Sequence, residues 1–245
     1  MIPEVTAADV PYLTTEQMIE VDRAMMEDYR IDLVRMMENA GRNLAHLARS
    51  RFLEGDPRRR RVVVLAGTGG NGGGALVAAR RLHNYGAAVE VFVTKPDDEF
   101  TPVPGRQLDL VRRMGMTVAA ADTVTAATTP DVVLDGVIGY SLRGAPRGKA
   151  GGLIRWANEQ SAAVLSLDAP SGVDATTGTV FEPAIVATAT MTLALPKEGL
   201  RAPGVAAHVG ELYLADISVP PELYARFLSV EVGPLFAQSD LLRLV

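Results

Sequence analysis

Residues 61–66, RVVVLA, carry five consecutive apolar side chains and pass directly into the glycine-rich segment 67–75, GTGGNGGGA. An apolar run without polar alternation belongs to a strand buried on both faces, and a sheet of such strands needs helices on each side. The pattern recurs at 88–93 (AVEVFV), 131–138 (DVVLDGVI), 163–168 (AVLSLD), 190–195 (TMTLAL) and 211–215 (ELYLA). Helix-compatible segments at 74–85, 104–114 and near 152–160 fall between them. Strands and helices in alternation, joined by right-handed crossovers, predict an α/β fold. The expected form is a three-layer α/β/α, doubly wound, mostly parallel sheet of Rossmann-like type.

Two helices are expected ahead of this core. Residues 14–29 offer Thr14 or Thr15 as a cap, with Glu16 in the first turn where the helix dipole favours an acid. Residues 33–52 repeat apolar positions at Leu33, Met37, Ala40, Leu44 and Leu47, a one-sided face. Because the pair precedes the first strand, it must lie on the sheet or against another subunit. No repeat, low-complexity tract or linker divides the chain. Residues 1–245 therefore read as one domain, with N-terminal helices in 1–56 and an α/β core in 57–245. Beyond Pro220 the pattern fits a closing helix and a short edge segment.

A net charge of −5 and a pI near 5.3 oppose general nucleic-acid binding. The one dense basic run, Arg58 to Arg61, has no interleaved aromatics and reads as a solvated loop. With no cysteine, disulfides, thiolate nucleophiles and cysteine-ligated zinc are excluded, and a reducing cytoplasm is the expected location. His46, His83 and His208 stand at no metal-ligand spacing. No membrane is expected as partner, because no segment approaches the ~18 apolar residues of a span and the N-terminus lacks a signal pattern.

In open parallel sheets, ligands bind beyond the carboxyl ends of the strands, and four such ends carry distinctive residues. The first is 67–75, where six of nine residues are glycine between a strand and a helix. That arrangement lets backbone N–H groups and a helix dipole approach a phosphate. The second is Asp135, a carboxylate in an apolar strand, where it needs a partner or a cation, followed by 139–144 (GYSLRG). The third is Asp168-Ala-Pro-Ser171, in which Pro170 fixes a turn; Asp168 is a candidate general acid/base, and Asp174 is a candidate turn cap. The fourth is Lys197, just past a strand, a positive charge for the same cleft.

Together with Met36-Met37-Glu38-Asn39-Ala40-Gly41, these segments resemble the YjeF N-terminal family in order and spacing. The segments are the glycine run, LDGVIGYSLRG, LDAPSGVD and ALPKEGL. The best-known members of that family are NAD(P)H-hydrate epimerases, and the resemblance spans nearly the whole chain. It implies a substrate, NADH or NADPH hydrated at C6 of the nicotinamide ring, whose R and S forms are interconverted for nucleotide repair. It implies a homodimer and a separate downstream dehydratase, with no dehydratase domain fused to this chain. It also implies a potassium ion held by Asn71, Asp135 and Ser171, all hard oxygen donors. By the same resemblance, Gly70, Asn71, Gly72, Gly73 and Gly74 would contact the dinucleotide, as would Gly139, Tyr140, Ser141, Leu142, Arg143, Gly144 and Ala145. Asp168 would act at the hydrated ring, assisted by Lys197. Where the family segment reads GNNGGDG, this chain has Gly70, Gly74 and Ala75 in place of Asn, Asp and the final Gly. The alternative reading is a non-catalytic nucleotide- or protein-binding module on the same fold. A dehydrogenase is disfavoured because Glu90 lies inside the next strand instead of at its end.

Overall fold

The computed structural model describes residues 2–125 and 127–245, and their strands form one sheet. In chain order the elements begin with β1 (Glu4–Val5), α1 (Thr15–Glu27), α2 (Leu33–Leu47), β2 (Arg61–Ala66), α3 (Gly70–Asn84) and β3 (Ala88–Val93). They continue with α4 (Pro102–Arg113), β4 (Thr117–Ala120), β5 (Val132–Gly136), α5 (Gly148–Asn158) and β6 (Ala163–Leu167). The last are β7 (Ala189–Leu193), α6 (Ala206–Val209), β8 (Glu211–Ala215), α7 (Pro221–Leu228) and β9 (Leu241–Leu244).

The strand order is β1-β9-β8-β7-β6-β5-β2-β3-β4. All pairings are parallel except β8 with β9. From β2 the chain winds outward through β3 to β4, then returns to place β5 on the other side of β2. The carboxyl ends of β2 and β5 therefore flank the switch point, the place where open α/β sheets bind ligands.

Successive residues of β2 serve opposite layers, which is why the run needs no polar alternation. Val62, Val64 and Ala66 pack with Leu76, Leu82 and Leu108 of α3 and α4. Val63 and Leu65 pack with Leu153, Ile154 and Trp156 of α5. Helix α1 joins α7 over β8 and β9, with Met18, Val21 and Met25 against Leu214, Leu223 and Leu242. Thr14 and Gln17 close a reciprocal capping box at the start of α1. In the basic run, Arg58 pairs with Asp56, and Arg60 with Glu54 and Asp131.

Three features depart from the sequence expectations. The first strand is β1, ahead of the two helices, and β9 lies inside the sheet between β1 and β8 instead of at its edge. Strand β4 has only the short, half-exposed run TVAA, too weak a pattern to read in advance. Most significantly, the glycine run is largely helical, since α3 starts at Gly70 and not at Gly74. None of its glycines has a positive φ, so they answer to space and not to torsion. A Cβ on Gly72 would stand 1.8 Å from the Gly67 carbonyl oxygen, and one on Gly73 2.5 Å from the Met37 sulfur. Gly41 of the MENAG segment meets α3 in the same way, where a Cβ would lie 2.4 Å from the Val77 Cβ.

Candidate active site

Strand β6 ends at Leu167, and Asp168 makes a last sheet bond from its N–H to the Met191 carbonyl at 2.7 Å. It then turns with φ +67°, a left-handed conformation uncommon outside glycine and often found at functional sites. Lys197 follows β7 and is pinned by the N-terminal segment: Leu13 N–H bonds the Pro196 carbonyl, and Glu198 N–H bonds the Leu13 carbonyl. These constraints bring Lys197 Nζ to 2.5 Å from Asp168 Oδ1, with side-chain exposures of 1% and 2%. The ammonium also donates to the Leu193 carbonyl at 2.8 Å. Asp168 Oδ2 is buried with no hydrogen-bond partner among the described residues. A buried carboxylate oxygen left unpaired is costly, which marks it as a position kept for a ligand.

Asp168 and Lys197 line a cavity of about 450 Å3 together with Gly70, Asn71, Tyr140 and apolar side chains of α1 and α2. A second cavity of about 350 Å3 adjoins it through Gly70, Asn71 and Tyr140, and is completed by Gly69, Gly72, Gly139 and Ser141. It sits at the switch point. There α3 begins with no side-chain cap at Gly69, leaving its first N–H groups and its dipole for an anion.

Asp135 is fully buried and in no ion pair among the described residues. Ser171 Oγ donates to its Oδ1 at 2.6 Å; Ser166 Oγ and Ser171 N–H donate to Oδ2 at 2.8 and 2.9 Å. Burial still dominates and pushes its carboxyl above the ordinary range, against the opposing pull of these bonds. Asn71 Nδ2 donates to the Leu167 carbonyl at 2.6 Å, and its Oδ1 abuts Gly139, where a Cβ would come within 2.3 Å. A buried carboxyl without a basic partner among the described residues, beside hydroxyl and carbonyl oxygens, offers the donor types that a hard cation of low charge density takes.

The sequence-selected residues separate by position. Gly70, Asn71, Tyr140 and Asp168 converge on the larger cavity, and Gly72, Gly139 and Ser141 on the smaller. Gly73 and Gly74 are turned toward Met37 and Leu167, so the structure gives them a packing reason. Leu142, Arg143, Gly144 and Ala145 line neither cavity, and Arg143 is exposed. Asp174 accepts the N–H groups of Thr176 and Thr177 at 2.9 and 2.7 Å, as a turn cap does.

The charged wall residues Asp22, Arg23 and Glu27 of α1 were not selected from the sequence. Asp22 enters the larger cavity from α1, and its Oδ2 accepts the Tyr140 hydroxyl. Burial raises its carboxyl, opposed by the Tyr140 bond and Lys197 and reinforced by Asp168. The signal was available: an acid within the buried stripe of Met18, Val21 and Met25.

The family model for the YjeF-related protein N-terminus matches residues 34–199. The chain belongs to this family. An NAD(P)H-hydrate epimerase of Dehalogenimonas lykanthroporepellens is 45% identical over 216 residues, covering 87% of this chain and 84% of the relative. The bifunctional NAD(P)H-hydrate repair enzyme Nnr of Moorella thermoacetica is 34% identical over 222 residues, but this chain spans only 41% of it. In structure, this YjeF-type chain is similar to yeast ynu0, with a TM-score of 0.80 at 22% identity, covering 96% of this chain and all (100%) of the other. That likeness shows a shared fold. No helix among the described residues is long and apolar enough to cross a membrane.

Proposed function

We propose that this chain is an NAD(P)H-hydrate epimerase, interconverting the R and S forms of NADH or NADPH hydrated at C6 of the nicotinamide ring. The observation that carries this reading is the placement of Asp168, backed by Lys197, in an apolar cavity joined to an uncapped helix N-terminus. The smaller cavity suits the pyrophosphate, and the larger one an uncharged reduced ring. Epimerisation needs the C6 hydroxyl to leave and return. Asp168 exchanges a proton with that hydroxyl while the ring nitrogen supplies electrons, and the Lys197 ammonium stabilises the Asp168 charge.

Asn71, Asp135 and Ser171 would hold a potassium ion, whose role would be to neutralise the buried Asp135 carboxylate beside the phosphate cradle. Loss of water from the S form, which restores usable cofactor, then falls to a separate dehydratase. Two copies would pair through the N-terminal helices, where Val34 of α2 stands exposed outside the larger cavity.

The alternative, a binding module without catalysis, is supported by Gly70, which leaves open space on the cavity wall where the family carries an asparagine. One assay separates the two. An equilibrated R/S hydrate mixture is given an S-specific dehydratase, in potassium buffer, with and without this protein. Accelerated consumption of the R form supports the epimerase; no acceleration supports the binding module.

A further inference from the structure

We propose that Asp22 is a second proton-transfer group of the epimerisation site, oriented by Tyr140 and serving the ring face that Asp168 does not reach. The proposal rests on the epimerase reading above.

The chemistry sets the requirement. When the C6 hydroxyl leaves as water, the nitrogen lone pair forms a C=N bond and C6 becomes the trigonal carbon of an iminium cation, open to either face. Inversion demands that water then add to the opposite face. Asp168 is poorly placed to serve both faces, because Oδ1 is fixed by Lys197 and its backbone is locked after β6.

A second carboxylate lines the same cavity from different elements. Asp168 and Lys197 descend from the ends of β6 and β7, whereas Asp22 comes from α1 and Tyr140 from the segment after β5. The Tyr140 hydroxyl donates to Asp22 Oδ2, and Oδ1 accepts from no described residue. Of the other charged groups at the rim, Arg23 pairs with Glu20, Asp28 and Glu27 at 2.7, 2.9 and 3.0 Å, which also occupies Glu27. Burial shifts the Asp22 carboxyl upward, in the direction an acid needs in order to hold a proton for the departing hydroxyl.

The step balances. In one direction the Asp22 carboxyl gives its proton to the hydroxyl, the C–O bond breaks, and water departs. Water then attacks C6 from the Asp168 side, the C=N electrons return to nitrogen, and the excess proton passes to Asp168. The reverse conversion exchanges the two roles, and solvent resets both carboxyls. No oxidant, reductant or further reactant is consumed.

The test follows each purified epimer in heavy-oxygen water, measuring conversion by chromatography and oxygen exchange by mass. In the wild-type protein both proceed. Asp22→Asn should slow conversion by about a hundredfold or more. It should still exchange oxygen, with configuration retained, in the one epimer whose hydroxyl faces Asp168, and that exchange itself shows a folded site. Tyr140→Phe keeps the carboxylate but loses its orienting bond, and should slow conversion about tenfold with the same retained exchange. The proposal is overturned if Asp22→Asn converts at the wild-type rate, or if both variants lose conversion and exchange in parallel for both epimers. A wild-type protein that neither converts nor exchanges the hydrate overturns the epimerase reading instead, and this proposal with it.

Discussion

Lys197 donates to Asp168 Oδ1 at 2.5 Å while Asp168 Oδ2, equally buried, takes no hydrogen bond from any described residue. One oxygen of the carboxylate is thus fixed by the protein and the other is left for chemistry. Lys197→Met removes the counter-charge and strands a buried anion, so the urea midpoint should fall by the equivalent of about 3–5 kcal/mol. Asp168→Asn leaves the buried Lys197 ammonium without a counter-charge and should also lower stability, and it should slow epimerisation by about 10²–10⁴-fold. An Asp168→Asn protein with an unchanged rate rules out the role given to Asp168.

Asp135 is a buried carboxyl with hydroxyl and amide donors but no basic partner among the described residues. A cation bound only by the folded chain stabilises it by mass action, by about 2.7 kcal/mol at a hundredfold excess over Kd. Melting in potassium should therefore occur several degrees above melting in a bulky organic cation. Asp135→Asn should abolish that increment, and a thermal shift that survives the substitution argues against this ligand set.

The glycines of the α3 entry make opposite predictions two residues apart. Gly72→Ala drives a methyl to within 1.8 Å of the Gly67 carbonyl oxygen, contact that only a backbone shift relieves. A loss of at least about 1–3 kcal/mol is expected in chemical denaturation. Gly70 has nothing within 4 Å of its would-be Cβ and borders both cavities. Gly70→Asn should change stability by less than about 0.5 kcal/mol. It should lower KM for the hydrate, and an increased KM would show that the open wall is itself the substrate surface.

Because burial raises the Asp22 carboxyl, the folded chain binds that proton more tightly than the unfolded chain does. Its contribution to stability is complete below the ordinary carboxylate value, about 3.9, and is lost as pH rises through the higher folded value. Asn cannot titrate. The stability of Asp22→Asn relative to wild type should therefore rise as the pH is taken above the ordinary carboxylate value. A flat difference above that value would place Asp22 in a more solvated setting than the cavity geometry indicates.

Much of the site was legible because its parts sit at strand ends, and strand ends are local events. Asp168 and Lys197 each follow an apolar run, and Pro170 and Gly199 announce the turns beside them. Asp135 was legible as an anomaly, a charge in an apolar strand. The glycine run was misread as a loop because glycine density looks the same whether it frees torsions or clears space. Only the approach of Gly67, Met37 and Leu167 distinguishes the two.

By itself the sequence determined the alternation of strands and helices, the two-faced burial of β2, and the order of residues that identifies the family. These follow from side-chain periodicity and short-range turn chemistry, which are written along the chain. The tertiary structure alone decided that β5 returns beside β2, that β9 runs inside the sheet, and that Asp22 meets Tyr140 across 118 residues. Such meetings depend on the route of the crossovers and on which helix face the core claims, and no local spacing records either.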